Sequence, residues 1–258
     1  MFRWEGKFTK VNLITYTPEP EKVVACAAKL CYSNADSIDT LMEGLTNEKV
    51  PEFIGHLASL GHSSTFEHAS FTFAIEGVSR ALLAQLTRHR IGASYSVQSQ
   101  RYVSMEGFSV VEPPAIWEDD YMSEIFSRGL EAAADTYNDL RDLLIDKYVE
   151  EGMDKGAAEK KANEDARYIL PNAATTRLIL TMNARSLLHF FSLRCCNRAQ
   201  WEIRELAEKM LKLVYPIAPN LFANAGPGCV SEGRCPEGSM SCGKMAEMQE
   251  KYSGLKTS

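Results

Sequence analysis

Residues 68–76 read His68-Ala69-Ser70-Phe71-Thr72-Phe73-Ala74-Ile75-Glu76. Ala69, Phe71, Phe73 and Ile75 alternate with Ser70, Thr72, Ala74 and Glu76. In an extended chain this puts bulky apolar side chains on one face, so a half-buried strand is predicted. Ser79 then caps a helix whose apolar face is Leu82, Leu83 and Leu86, expected to end near Arg88-His89-Arg90. Helices are predicted on both sides of this strand and helix. Residues 18–31 open with Pro and Glu and place Val23, Ala27 and Leu30 on one face, and residues 47–60 form a helix ended by Gly61. Downstream, a polar loop leads to residues 100–103, which could be extended. Met122, Ile125, Phe126, Ala133, Tyr137, Leu140 and Leu144 then recur at helical spacing, predicting a long amphipathic helix to about Glu150. Residues 157–170 are a polar helix that must stop before Pro171. Residues 183–196 and 199–214 are two more, the second halted by Pro216. The fold class expected is α+β: a single domain over residues 1–224 with a mainly antiparallel sheet flanked by long helices. Residues 225–258 turn to Gly, Pro, Ser and Cys and are expected to form a loose tail.

Composition narrows the function classes. Hydrophobic residues make up 45% and charged residues 24% of the 258, an ordinary globular balance. Residues 1–10 carry Arg3, Glu5 and Lys7 with no apolar core, unlike a signal peptide. The most apolar stretch, 178–196, is interrupted by Asn183, Arg185, His189 and Arg194 and is unsuited to spanning a bilayer. A cytoplasmic protein is therefore expected, with no membrane partner. The net charge of -6 argues against nucleic acid as a partner, because that needs a basic face to displace counterions. Seven cysteines, an odd number, favour reduced thiols over a disulfide framework.

Neither the G-x-G-x-x-G nor the G-x-x-x-x-G-K-[ST] nucleotide cradle is present, so any nucleotide chemistry must use side chains. The densest chemical cluster is Arg88-His89-Arg90-Ile91-Gly92-Ala93-Ser94-Tyr95-Ser96-Val97-Gln98-Ser99-Gln100-Arg101-Tyr102. It offers three guanidiniums, an imidazole, two carboxamides and several hydroxyls, with no acidic residue. Arg forks beside hydroxyls suit a phosphate, which they grip through paired, charge-assisted hydrogen bonds. A helix dipole would account for basic residues at 88–90 but not for Arg101 and the amide-rich loop between.

Arg-His-Arg, eight residues, then Ser99-x-Arg101 resembles the signature of the flavin-dependent thymidylate synthases, in the longer of its two gap lengths. Two further blocks are similar to that family: Gly61-His62-Ser63-Ser64-Thr65-Phe66-Glu67-His68, and Ala166-Arg167-Tyr168-Ile169-Leu170-Pro171. The second continues into Asn183-Ala184-Arg185-Ser186-Leu187, Arg194 and Ala199-Gln200-Trp201-Glu202-Ile203. The resemblance runs from about Leu30 to Pro219. It implies a methyltransferase that turns dUMP into dTMP, with bound FAD as cofactor and NADPH and methylenetetrahydrofolate as co-substrates. It also implies a homotetramer with active sites shared between subunits. By the same resemblance Arg88, His89 and Arg90 contact FAD, Arg88 also nearing the dUMP phosphate. Ser64 reaches FAD bound mainly by another subunit. Asn183, Arg185 and His189 line the flavin, His189 standing where many members carry Asn. Gln85, Ser99, Gln100, Arg101 and Arg167 hold dUMP, and Arg194 binds the pyrimidine and helps ionise it. The longer gap shifts the register before Ser99, so the polar residue meeting the flavin there is Gln98, with Ser96 as the alternative.

The spacing accords with these roles. Gln85 stands three residues from Arg88 and four from His89, so on a continuing helix they share a face. Arg185 and His189 are four apart on a helix that Asn183 can cap. No metal site is expected. His56, His62 and His68 are six apart and do not share a helix face. Cys229, Cys235 and Cys242 supply three ligands where a closed tetrahedral zinc site takes four. Cys195 and Cys196 follow Arg194 but are expected to point away from whatever it contacts, so neither is expected to act as a nucleophile.

Overall fold

The computed structural model describes residues 3–4, 9–46 and 49–255. The elements begin with β1 (Arg3–Trp4), β2 (Lys10–Tyr16), α1 (Pro20–Leu30), α2 (Ile38–Glu43) and α3 (Lys49–Ser59). A 3-10 helix (Ser63–His68), β3 (Ser70–Ser79), α4 (Arg80–Leu86), β4 (Ala93–Val97) and β5 (Ser109–Val110) follow. The chain then forms α5 (Pro114–Trp117), α6 (Asp120–Glu150), α7 (Lys155–Ala166), a 3-10 turn (Arg167–Ile169) and β6 (Thr175–Asn183). It continues with α8 (Ala184–Arg194), α9 (Trp201–Val214), α10 (Gly228–Ser231), a 3-10 turn (Gly238–Met240) and α11 (Met245–Leu255). The class is α+β, as expected, with a four-stranded antiparallel sheet in the order β2-β3-β6-β4. Its register is set by Thr17 N bonding Ser70 O, Ala184 N bonding Ala69 O and Asn183 N bonding Gly92 O. No helix among the described residues is long and apolar enough to cross a membrane.

The predicted strand at 68–76 is β3. Phe71, Phe73 and Ile75 are fully buried, and the Ser79 hydroxyl accepts from Leu82 N at 3.0 Å to start α4. Other expectations are corrected. Helix α4 stops at Leu86, so Gln85 lies in its last turn while Arg88 and His89 sit in a turn beyond it. Residues 93–97 of the predicted loop form β4, and residues 100–102 turn rather than extend. Strands β2 and β6 have no counterpart among the predicted elements. In β6 Thr176, Leu178, Leu180 and Met182 are buried at period two, but the apolar run continuing into α8 masks the alternation. Helix α1 buries Val24, Ala25 and Ala28, while Leu30 of the predicted face is 51% exposed. The expected helix start at 47–48, and residues 1–2 and 5–8 of the first ten, lie outside the described residues.

The described chain groups into two compact units. In the unit formed chiefly by Ile75–Gln85 and Ser96–Leu178, α6 packs on α7 around Leu130, Ala134, Tyr137 and Ala166. The Tyr137 hydroxyl accepts from Met105 N at 3.0 Å and donates to Asn163 Oδ1 at 3.4 Å, so the buried phenol leaves no polar atom unpaired. Of the stripe predicted for α6, Tyr137 is buried, but Met122, Ile125 and Leu140 stay exposed in the single chain. The other unit is formed by Val11–Ala74, Leu86–Tyr95 and the chain from Ile179 onward. Its core stacks Phe71, Phe191 and Phe222 edge to face, at 5.5 Å and 6.1 Å between ring centres. The expectation of a loose tail gives way here. Helix α11 buries Met248 and Tyr252, and the Tyr252 hydroxyl reaches Cys195 O at 3.2 Å and Glu208 Oε1 at 3.1 Å.

Candidate active site

In the second unit, the turn after Arg90 is fixed by three residues. Gly92 adopts φ of 63°, and a Cβ there would collide with Ser186 Oγ and Asn183 Nδ2, so only glycine fits. Asn183 caps α8 by accepting from Ser186 N at 2.8 Å, as its place before the helix predicted, and Ser186 Oγ donates to Ile91 O at 2.7 Å. The Tyr95 hydroxyl sits 2.7 Å from His89 O and 2.9 Å from Leu86 O, tying β4 to the turn that carries Arg88 and His89. Burial pushes this phenol up to about 12, so it stays a donor.

This scaffold presents Arg88, His89, His189 and Arg194 on the wall of one cavity of about 540 Å³. Arg194, at the end of α8, donates its Nε to His89 Nε2 at 2.9 Å. An imidazole that accepts at Nε2 must be neutral with its proton on Nδ1. Its electrostatics agree: burial, then the charges of Arg194, His189 and Arg88, hold His89 down to about 4. The His89 ring also stands edge-on to Phe190 at 5.0 Å, which fixes its plane. Burial and the Arg88 charge lower Arg194 as well. Among the described residues no carboxylate pairs with Arg88, Arg90 or Arg194, so the wall is a concentrated, uncompensated positive charge. Arg90 is exposed. Arg185 and Ser64 meet at a second, smaller cavity of about 380 Å³ beside Ser63 and Thr65, where Arg185 pairs with Glu67 at 2.5 Å. Arg185 and His189 share α8 but line different cavities.

In the first unit, Ser99 and Arg101 form a tight turn in which Ser99 Oγ accepts from Arg101 N at 3.2 Å. Arg101 Nε pairs with Glu164 Oε2 at 2.8 Å, and Asn163 Nδ2 donates to Arg101 O at 3.2 Å, so α7 holds the turn. Arg167 Nε donates to Glu164 O at 3.1 Å, which brings Arg167 to the same end of α7. Gln98 and Gln100 are half-buried. Arg80, the first residue of α4, is not among the residues predicted for the site. It donates from Nη2 to Gln98 O at 3.0 Å, its Nε is buried with no partner, and burial together with the Arg167 charge lowers it. An Arg following a helix cap reads as surface charge in a sequence, and only the fold shows it turned inward beside Arg167.

The fold thus groups Arg88, His89, His189 and Arg194 in one place, Ser64 and Arg185 in a second, and Ser99, Arg101, Arg167 and the Gln98 carbonyl in a third. Cys196 departs from expectation. Helix α8 ends at Arg194, so the helical rotation expected to carry Cys196 away does not apply, and it lines the Arg194 cavity. Cys195 is buried and does not line that cavity.

The family model described as "Thymidylate synthase complementing protein" matches residues 12–220. A flavin-dependent thymidylate synthase from Clostridium tetani is 55% identical over 243 residues, covering 94% of this chain and 96% of that protein. One from Geobacter sulfurreducens is 50% identical over 245 residues, covering 94% and 97%. The chain belongs to the flavin-dependent thymidylate synthase family. The matched span includes the cationic wall, the Ser99–Arg101 turn and the Ser64–Arg185 cavity, and it ends before the tail with α10 and α11. A relative from Nitratidesulfovibrio vulgaris, 46% identical over 240 residues, covers 91% of this chain.

Proposed function

We propose that the chain is a flavin-dependent thymidylate synthase that converts dUMP to dTMP, a methyltransferase with FAD as cofactor and NADPH and methylenetetrahydrofolate as co-substrates. The observation that carries this reading is the uncompensated cation pair Arg88 and Arg194 on one cavity, with a neutral His89 accepting from Arg194. The donor set fits a dinucleotide cofactor. Arg88 on the larger cavity and exposed Arg90 would offer forks to a diphosphate, and on the smaller cavity Arg185, now paired with Glu67, would add a third beside the hydroxyls of Ser63, Ser64 and Thr65. Asn183 keeps an amide N–H₂ for a flavin carbonyl, since only its oxygen is used as the cap. His89 and His189 complete the wall, with Gln98 as the further polar contact.

When bound, FAD reduced by NADPH supplies the hydride, and methylenetetrahydrofolate supplies the carbon. The chain's own residues bind, orient and hold charge. Ser99, Gln100, Arg101, Arg167 and Gln85 hold dUMP, the guanidiniums gripping its phosphate, with Arg88 bridging phosphate and flavin. Arg194 faces the pyrimidine and stabilises the negative charge that develops on the ring, a role suited to a cation with no carboxylate to satisfy it. His89 fixes the Arg194 fork without adding a competing charge.

The enzyme acts in the cytoplasm as a homotetramer with active sites shared between protomers. Exposed Met122, Ile125 and Leu140 at helical spacing along α6 support assembly, because an apolar stripe of that length on a single chain calls for a covering partner. Purified protein should be yellow, with a flavin absorption band, and should form dTMP from dUMP only when NADPH and the folate are both supplied. A colourless protein that takes up no FAD sinks the reading.

A further inference from the structure

Three cysteines of the tail read in sequence as an incomplete ligand set, and the fold supplies a fourth. Cys196 lies just past the end of α8, Cys229 in α10, and Cys235 and Cys242 in the segment leading to α11. All four line the same cavity as the cationic wall, and all four are free thiols. Cys196, Cys235 and Cys242 are near enough to Cys229 for their charges to act on it. We infer that Cys196, Cys229, Cys235 and Cys242 form a four-thiolate site for a thiophilic metal centre, which pins the tail over the Arg194 cavity.

The convergence is built into the fold. Helix α11 is anchored by Tyr252, whose hydroxyl reaches Cys195 O, the neighbour of Cys196. Gln249 Nε2 donates to Cys229 O at 3.3 Å. Arg198, two residues past Cys196, bonds Met240 O and pairs with Glu237 at 3.7 Å, holding the segment between Cys235 and Cys242. Gly228 packs on Pro236 so closely that a Cβ would come within 2.7 Å of its Cγ, pressing the Cys229 and Cys235 ends together.

Four thiolates suit a tetrahedral zinc ion or an iron–sulfur cluster, and soft sulfur donors select these over hard cations. Among the described residues no group of three or more His, Cys, Asp or Glu side chains is placed to hold a metal ion. Binding would therefore draw in Cys235, half-buried, and Cys242, exposed, with release of the thiol protons. The gaps of five and six residues between the tail cysteines exceed the two to four of a zinc knuckle, so the sequence alone does not announce the site.

The test uses the full-length chain purified without oxygen. Elemental analysis should find one zinc per chain, or iron with acid-labile sulfide, and these two results separate the two sources of the same ligand chemistry. Cobalt(II) added to metal-free protein should give the visible bands of a tetrahedral thiolate site. Cys229→Ser and the Cys235→Ser/Cys242→Ser double variant should lose the metal, while Cys26→Ser, outside the cavity, keeps it. Circular dichroism shows that a variant without metal is still folded, and cobalt titration of Cys242→Ala alone gives a second reading at the exposed ligand. A chain that carries no zinc or iron and takes up no cobalt overturns the proposal. So does metal retained in the double variant, or a disulfide between two of the four in oxygen-free protein. The readout does not depend on flavin: a colourless chain with zinc sinks only the flavin reading, and a yellow chain without metal sinks only this one.

Discussion

Arg101 and Arg194 each stand at the wall of a cavity of similar size, about 530 and 540 Å³, yet their charges are handled in opposite ways. Arg101 pairs with Glu164 at 2.8 Å while α7 holds its backbone through Asn163. Among the described residues no carboxylate pairs with Arg194. Its Nε goes to a neutral imidazole, and the charge that acts on it is that of another cation, Arg88. The first arrangement stores a guanidinium in a ready geometry and releases it by exchanging one anion for another. The second leaves positive charge in a partly desolvated place, a standing cost that is recovered only when negative charge arrives. The difference suits Arg101 to ground-state binding of a phosphate and Arg194 to charge that forms during reaction.

The largest effect should come from the uncompensated end. Arg194→Ala should lower dTMP turnover by roughly 10²- to 10³-fold, the range for removing one preorganised charge-stabilising group, while FAD absorbance is kept. Turnover within a few-fold of the parent protein would break the comparison. Next comes Arg88→Ala, which should weaken FAD retention and dUMP binding together, each by roughly ten- to a hundredfold, as expected for lost charged hydrogen bonds. Arg88→Lys should restore only part, since an ammonium cannot reproduce the planar fork. Flavin fluorescence and dUMP titration read the two losses, and a loss of neither removes Arg88 from the site.

The wall's neutral member makes a pH prediction. His89 is held at about 4 in the folded chain against an ordinary 6.5, so the unfolded chain takes up its proton first as pH falls. Its contribution to stability is fully present above about 6.5 and is lost as pH drops toward 4. His89→Asn should flatten the thermal-stability slope in that window, and a resonance assigned to the His89 imidazole that titrates near 6.5 in the folded parent protein would contradict the buried neutral assignment.

How much of the fold and the site is legible in the sequence follows from what each residue's role depends on. Strand β3 and the cap at Ser79 are legible because alternation and capping are local. So is the cap at Asn183. The grouping of Arg88 with Arg194 is reached through the family signature, because more than a hundred residues separate them and no local period links them. Strand β6 is hidden by the apolar helix that follows it directly. Cys196 escapes the sequence because a side chain's direction past a helix end is set by where the helix stops, and α8 stops earlier than its pattern suggests. Arg80 opens α4, and its inward turn depends on the Gln98 carbonyl it meets, eighteen residues away.

The compensated end should respond more weakly. Glu164→Gln removes the partner of Arg101 from an ion pair whose side chains are 49% and 42% exposed, and pairs that exposed are worth about 0–1 kcal/mol. The dUMP KM should therefore move by no more than about fivefold, with turnover unchanged. A hundredfold loss of turnover would mean that Glu164 does more than store Arg101, and the contrast between the two arginines would fail.

The smallest effect is expected one residue beyond Arg194. Cys195 is the nearest thiol in sequence to the proposed charge-stabilising guanidinium, the position from which a covalent mechanism would be argued, because a neighbouring cation can acidify a thiol. The structure places it otherwise. Cys195 is fully buried, and burial pushes its thiol up to about 12 despite a hydrogen bond to Tyr252, with the Glu208 charge pushing the same way. A thiol held there is neither a thiolate at neutral pH nor open to a nucleotide. Its neighbours are the Tyr252 hydroxyl and Glu208, which belong to the anchoring of α11. Cys195→Ser should cost about 1–2 kcal/mol of stability for placing a hydroxyl in that buried position and leave dTMP formation within about twofold. Cys195→Ala, which adds no polar group, should hold turnover equally well. If either variant were folded, yellow and dead, or if mass spectrometry of the parent protein trapped dUMP on Cys195, carbon transfer would run through a thiol. The part proposed for Arg194 would then pass to the residue beside it.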